Sequence, residues 1–334
     1  MRRHHPHRRA VGTVAGLAAL PFVAAGAWMA WSHAGLTRRH RLPPALYGRR
    51  RVIDTKAGRV SVYGTEEAAG RPLLLIHSVN AAANAYEIRP LYEHYRKTRP
   101  VYALDLPGFG FSERSERLYT PRLMTDAIHA VAASIQDRHG GKPIDAIALS
   151  LSCEYLARAA LERPEDYHTL GLISPTGFDE RLSGDGPDQS HRGNRVARAF
   201  ASFPLWGRPL FDALVSRPSM RFFLEKTWGS KDIDEGLFEY GQLSAHQPGA
   251  EHAPFCFLSG YLFPNDVTRV YERLRLPVWA LHGRRGDFVD YRRIGEVANR
   301  PNWTIHRLST GAFPHFEDRA AVVQRYDGFL ARVQ

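Results

Sequence analysis

Three stretches constrain the fold of this chain more than anything else in it. They are PLLLIH at Pro72–His77, PVYALD at Pro100–Asp105 and IDAIAL at Ile144–Leu149. Each is apolar almost without interruption, where a half-solvated strand would alternate apolar and polar residues. A short apolar run of this kind marks a strand buried on both faces, as in a parallel sheet covered by helices. Helical patterns separate them, at Ala83–Arg96 and Leu123–Ile135, and a third follows at Glu154–Leu161. Strand patterns precede them at Arg51–Asp54 and Arg59–Tyr63 and follow at Thr169–Ser174, Pro277–Leu281 and Trp303–Leu308. This alternation predicts an α/β fold with a mostly parallel eight-stranded sheet.

The rhythm breaks between Phe178 and Phe263, where aromatic, arginine, proline and glycine residues gather. Helical pieces fall near Pro209–Val215, Met220–Thr227 and Ile233–Leu243. No later segment supplies a second complete sheet, so a helical insertion after the sixth strand explains the break better than two separate domains. The expected layout is an N-terminal segment at 1–49, a core at 50–177 and 265–334, and a helical cap at 178–264. A chain of 334 residues is long enough for this.

The formal charge of +11 invites a nucleic-acid reading, and its distribution argues against one. Residues 1–51 hold ten arginines and no acid, so the remainder is nearly neutral. No zinc-finger spacing or RNA-recognition signature accompanies them. The arginines instead bracket an uncharged run from Ala10 to Trp31. Twenty or so apolar residues span a bilayer as a helix, and Trp28 and Trp31 stand where interfacial aromatics belong. The expectation is a single N-terminal transmembrane helix that anchors the chain to a membrane. The alternative is export after signal-peptide cleavage near Ser32-His33-Ala34. Arginines at both ends leave the orientation open. Two cysteines, Cys153 and Cys256, make no disulfide framework and read as small buried residues.

Four motifs in order make the chain resemble the α/β-hydrolase fold with a cap, over about residues 50–332. They are Leu75-Ile-His-Ser-Val-Asn80, Asp105-Leu-Pro-Gly-Phe-Gly-Phe-Ser112, Ala148-Leu-Ser-Leu-Ser152 and Leu281-His-Gly-Arg-Arg-Gly-Asp-Phe-Val-Asp290. A closing stretch, Thr310-Gly-Ala-Phe-Pro-His-Phe-Glu317, agrees less fully. The resemblance implies a nucleophile on a sharp strand-to-helix turn, with acid and base following in the order Ser, acid, His. Ser150 takes the nucleophile's place. The positions two residues away must be small, and Ala148 and Ser152 replace the usual glycines. The bland reading of Ser150 is an N-cap for the next helix, a role that suits Ser152 better. The oxyanion hole falls by resemblance to the amides of Leu151 and Val79. His77 reads as a structural residue of that loop, and Ser78 stands where the family has glycine.

The acid and base depart from the family pattern. The usual acid position, three residues after Gly283, is Gly286, and Asp287 follows it. Asp287 is the expected acid, with Asp290 and Asp179 as alternatives. The family's Gly-His after the last strand is Gly311-Ala312 here. His315 lies three residues further, so it is the expected base, with His282, His246 and His252 behind it. A serine hydroxyl needs such a base, and the base an orienting carboxylate.

No phosphate-binding loop, dinucleotide glycine pattern or H-E-x-x-H motif is present, so no cofactor and no metal is expected. The cap's aromatic and aliphatic residues are expected to form its own core and partly to line an apolar pocket over Ser150. With a membrane anchor they suggest a hydrophobic small-molecule or lipid-like substrate. Two function classes remain. One is a serine hydrolase (an esterase-like enzyme) that cleaves an apolar ester or related acyl compound through an acyl-enzyme. The other is a catalytically inactive relative that binds a lipid or a protein partner, suggested by the loss of the usual residues at Gly286 and Ala312.

Overall fold

The computed structural model describes residues 25–34, 41–179, 186–287 and 290–333. Eight strands form one sheet in the order β1-β2-β4-β3-β5-β6-β7-β8. They are β1 (Arg49–Thr55), β2 (Gly58–Thr65), β3 (Leu73–Ile76), β4 (Val101–Asp105), β5 (Ile144–Leu149), β6 (Tyr167–Ile173), β7 (Val278–His282) and β8 (Trp303–Arg307). The first two are antiparallel to their neighbours, and the rest run parallel.

Every residue of β3, β4, β5 and β7 is buried, as continuous apolar runs require. Successive residues enter opposite cores, because side chains alternate across a strand. Leu74, Ile76, Ala146, Ala148, Leu170 and Leu172 join one core. Leu73, Leu75, Ile147, Leu149, Ile173 and Leu281 join the other. Helices α3 (Pro121–Arg138) and α4 (Ser152–Glu162) cover the first face. Helices α2 (Arg89–Tyr95) and α13 (Arg319–Leu330) cover the second. Asp145, at the base of β5, is neutralised by Arg99 and accepts hydrogen bonds from His168 and Thr169. That leaves the C-terminal ends of the parallel strands for chemistry.

Most of the expected membrane span lies outside the described residues. What is described is a helix over residues 25–34, α1, and no helix among the described residues is long and apolar enough to cross a membrane. Helix α1 lies against the cap. Trp28 donates its indole N–H to the Pro209 carbonyl at 2.9 Å, and Ser32 donates to the Asp212 carboxylate at 2.5 Å.

Between β6 and β7 come α5 (Arg195–Ala201), α6 (Gly207–Leu214), α7 (Arg217–Trp228), α8 (Glu235–Ala245), α9 (His252–Leu258) and α10 (Val267–Arg273). Proline in its first turn and Gly229 in a left-handed conformation at its end delimit α7. The cap's large side chains divide differently from the expectation. Phe211, Trp228, Phe238 and Phe255 are buried, whereas Phe200, Phe203, Leu205, Leu210, Phe222 and Phe223 lie exposed on the surface. Three short helices, α5, α9 and α10, had no clear apolar period in the sequence. Helix α10 packs on α4, and the buried Asp266 carboxylate there pairs with Arg158.

DLPGFGFS has a compact physical account. Asp105 is buried at the end of β4 and accepts the Ala85 and Phe111 amides at 3.0 and 2.9 Å. The chain then folds back so closely that a Cβ at Gly110, where φ is +50°, would stand 2.0 Å from the Asp105 carboxyl carbon. Ser112 closes the turn by donating to the Asp105 carbonyl and accepting the Ser61 amide. Gly110→Ala should therefore cost about 2–5 kcal/mol, the sum of left-handed strain and overpacking, measured by urea denaturation.

Candidate active site

β5 runs out at Leu149 and α4 starts at Ser152, so two residues make the whole turn. Ser150 takes φ of +54°, in the left-handed region that L-residues avoid. Its amide is held by the Ile173 carbonyl at 2.9 Å. Ala148 and Ser152 are both fully buried beside it. Ser152 does not cap α4. Its hydroxyl donates to the His77 carbonyl at 2.6 Å, which ties the turn to the loop after β3. Ser150 itself is half-buried, and its hydroxyl makes no hydrogen bond to any described residue. A non-glycine residue in this conformation stores strain of about 1–3 kcal/mol, a cost characteristic of functional turns.

The pairing of β3 with β5 aligns Ile76 with Ala148. Val79 and Leu151 each lie three residues beyond that pair, so the two loops leave the sheet side by side. Both residues are buried, and neither amide donates a hydrogen bond to any described residue. Buried amides nearly always find partners. Two open ones stand in the loops beside the half-buried Ser150, as expected oxyanion donors would.

His77 holds this loop in place. Its Nε2 accepts the Leu106 amide at 2.9 Å, so Nδ1 carries the proton and donates to the Ser78 carbonyl. Burial pushes the ring down to about 4, which keeps it neutral. Glu87 is a residue that the sequence did not single out. Its carboxylate accepts the Ser78 amide at 2.8 Å and the Asn80 side chain at 2.7 Å. Burial raises it to about 6 against the pull of those bonds. The only signal for it was a lone acid within the apolar Ala85–Ile88 turn.

The structure does not join the expected acid and base to Ser150. Asp287 is exposed and pairs with Lys226 at 3.2 Å on the surface. Its backbone amide is held by the Lys226 carbonyl, which directs the residue onto the end of α7. The one-residue shift in its loop therefore turned the carboxylate outward. His315 lies in α12 (Pro314–Glu317) and is wholly buried. Its Nε2 donates to the Glu87 carbonyl at 2.6 Å, so Nδ1 bears the lone pair and has no partner among the described residues. Burial lowers the ring to about 4. The short helix begins at Pro314 and sets His315 against the Ala85–Ile88 turn, where its bond goes to Glu87 rather than to Ser150 or Asp287.

Three of the other candidates are engaged elsewhere. Asp290 closes a local turn with Arg292, His282 bonds the Gly283 carbonyl and stacks on Tyr291, and His246 bonds the Gln242 carbonyl. His252 opens α9, and Asp179 lies in the segment after β6. Ala312 occupies the family's histidine position, next to Ser174. Ser174 is the other residue the sequence missed. It too has positive φ, +48°, and its hydroxyl donates to the Ala312 carbonyl at 2.8 Å. The Ala312 amide goes to the Thr227 carbonyl at 3.0 Å. The end of α7 thus covers both loops. A Cβ at Gly311 would stand 2.3 Å from the Trp228 carbonyl oxygen. Among the described residues no cluster of histidine, cysteine, aspartate and glutamate could hold a metal ion.

Residues 73–325 match the model of the alpha/beta hydrolase family. Solved structures share the fold at low identity. A serine hydrolase involved in carbazole degradation is 14% identical over 85% of this chain and 99% of its own, with a TM-score of 0.66. A thermophilic esterase from Thermogutta terrifontis is 18% identical over 86% and 99%, with a TM-score of 0.62. A membrane phospholipase A is 19% identical over 97% of this chain and 96% of its own, with a TM-score of 0.62. At these identities the likeness establishes the fold. No curated protein sequence matches the chain.

Two outcomes follow from the geometry. Glycine at position 150 relieves left-handed strain, so Ser150→Gly should be about 1 kcal/mol more stable than Ser150→Ala in urea denaturation. His315 has a folded-state pKa below its unfolded value, so its contribution is complete above about pH 6.5 and is lost as pH falls toward 4. In His315→Gln the loss of stability across that window should be shallower by up to about 1.4 kcal/mol per pH unit, read from denaturation at each pH.

Proposed function

The chain belongs to the alpha/beta hydrolase family, and from that premise we propose that it is a serine hydrolase that opens an apolar ester or related acyl bond at Ser150. One observation carries the reading: a hydroxyl with no partner among the described residues, on a left-handed turn beside two buried residues whose amides are open among them. In this mechanism Ser150 Oγ attacks the substrate carbonyl carbon. The charge that develops on oxygen is held by the Val79 and Leu151 amides, which act as fixed dipoles and need no reorganisation. Collapse expels the alcohol and leaves an acyl group on Ser150, and water then hydrolyses it. The hydroxyl proton passes to water at the half-exposed turn and on to the leaving alcohol. Without a histidine hydrogen-bonded to Ser150, catalysis rests on charge stabilisation and binding. A triad enzyme stripped of its base keeps a residual acceleration of about 10³–10⁴ over water on those terms.

The expected N-terminal anchor belongs to the same proposal. The uncharged run from Ala10 to Trp31 holds the chain to a membrane, and a lipid-like ester becomes the natural substrate class. The membrane phospholipase A, alike along 97% of this chain, supports that substrate class by analogy alone.

A second reading is favoured by the state of Ala312. Its amide and carbonyl are both bonded, and the end of α7 lies across the histidine position. On this reading the chain binds an acyl ligand at the turn without cleaving it. Fluorophosphonate labelling and turnover of activated esters separate the two. Wild type should label and Ser150→Ala should not, with turnover falling to background. Asp287→Ala should change the rate less than about twofold, because an exposed ion pair contributes little. Ala312→His should raise it at least about tenfold, since a positioned base is worth about 10²–10⁴. Wild-type protein that neither labels nor turns over an ester favours the binding reading.

A further inference from the structure

The cap carries an apolar face that the chemistry above does not use. Val196, Phe200, Phe203, Leu205 and Leu210 are 79%, 63%, 45%, 59% and 44% exposed, all within one stretch from α5 to α6. Scattered exposed apolar residues are ordinary, whereas a contiguous group marks a contact surface. Contiguity is visible here. Phe203 stacks on Trp206 at 4.3 Å between ring centroids, and Phe200 approaches the same ring at 5.4 Å.

Three further observations say what covers this face. First, α1 is fastened to it. Trp28 bonds the Pro209 carbonyl, His33 the Leu205 carbonyl and Ser32 the Asp212 carboxylate. The uncharged run from Ala10 to Trp31 therefore ends on this side of the molecule. Second, Trp31 is 49% exposed and packs beside Trp28 at 5.1 Å, which adds an aromatic pair of the kind found at membrane–water boundaries. Third, the stretch from Arg195 to Phe211 contains three arginines and no acid. Arg208 is paired with Asp212 and Glu251, while Arg195 and Arg198 form no ion pair with any described residue. Apolar tips with arginines at their margin suit anionic headgroups over acyl chains. A second copy of the chain on the same face would bring these arginines together.

We propose that the face formed by α1, the end of α5, the 202–206 turn and the start of α6 lies in the surface of the bilayer to which the N-terminal run anchors the chain. The membrane thus contacts the cap directly, and the cap is held at a fixed orientation to the lipid. This rests on the anchoring proposed above and is independent of the chemistry at Ser150.

The test uses the full chain in phosphatidylethanolamine–phosphatidylglycerol vesicles. Cys153 and Cys256 are buried, so a nitroxide can be directed to one introduced cysteine. Phe203→Cys and Leu205→Cys place it on the face, and Val52→Cys, 52% exposed on edge strand β1, serves as the control. All three positions are exposed, so folding is little affected. The expected result is severalfold more collision with dissolved oxygen, and severalfold less with an aqueous nickel chelate, at 203 and 205 than at 52. Chain that floats with the vesicles while all three labels remain open to nickel overturns the docked face and leaves the anchor standing. Chain that stays in the aqueous phase overturns both. Spin–spin broadening between labels at 203, with neither oxygen nor nickel gaining access, shows a face between copies and also overturns it.

Discussion

Burial of the central strands on both faces is the constraint on which everything else in this molecule depends. A strand covered by helices above and below has nowhere to put a polar group except at its ends. At the lower ends the problem is solved by neutralisation, with Asp145 set against Arg99, His168 and Thr169. At the upper ends β4, β3, β5 and β6 stop within the same layer, and the polar groups there hold one another. His77 joins the β3 and β4 loops, Ser152 joins the β5 turn to β3, and Ser174 joins the β6 end to the loop after β8. The unusual backbone of Ser150 persists because these neighbours over-determine it.

The framework was legible in the sequence for the same reason. Two-sided burial writes itself as unbroken apolar runs, and all eight strands fall where those runs and their weaker companions lie. The turn at Ser150 was legible through the small residues at 148 and 152, because close backbone packing leaves a compositional mark. The acid and base were not legible. Their positions depend on how two loops are directed, and a shift of one or three residues can turn a side chain to either side. The decisive element was α7, whose last carbonyls hold the Asp287 and Ala312 amides. Nothing in the sequence of either loop records that contact. Glu87 was hidden similarly, as an ordinary acid in a short turn whose partners lie seven and nine residues upstream.

The cap shows a different limit. Its aromatic content was plain, but an aromatic side chain carries no mark of whether it faces a core or the outside. Phe211 and Phe238 went inward, while Phe200 and Phe203, of the same residue type and from the same insertion, went outward. Amphipathic period is the usual guide, and a helix of seven residues such as α5 is too short to display it.

The end of α7 has a mechanical consequence. Its carbonyls accept the amides of two separate loops of the core, and Gly286 and Gly311 admit it only because they lack side chains. This end of the cap is riveted to the sheet. Lifting it would break these backbone hydrogen bonds together. Any motion that admits a ligand to the turn has to leave this joint intact or break it, and the Tyr155 hydroxyl, bonded to the Leu262 carbonyl at 2.7 Å, makes a second one.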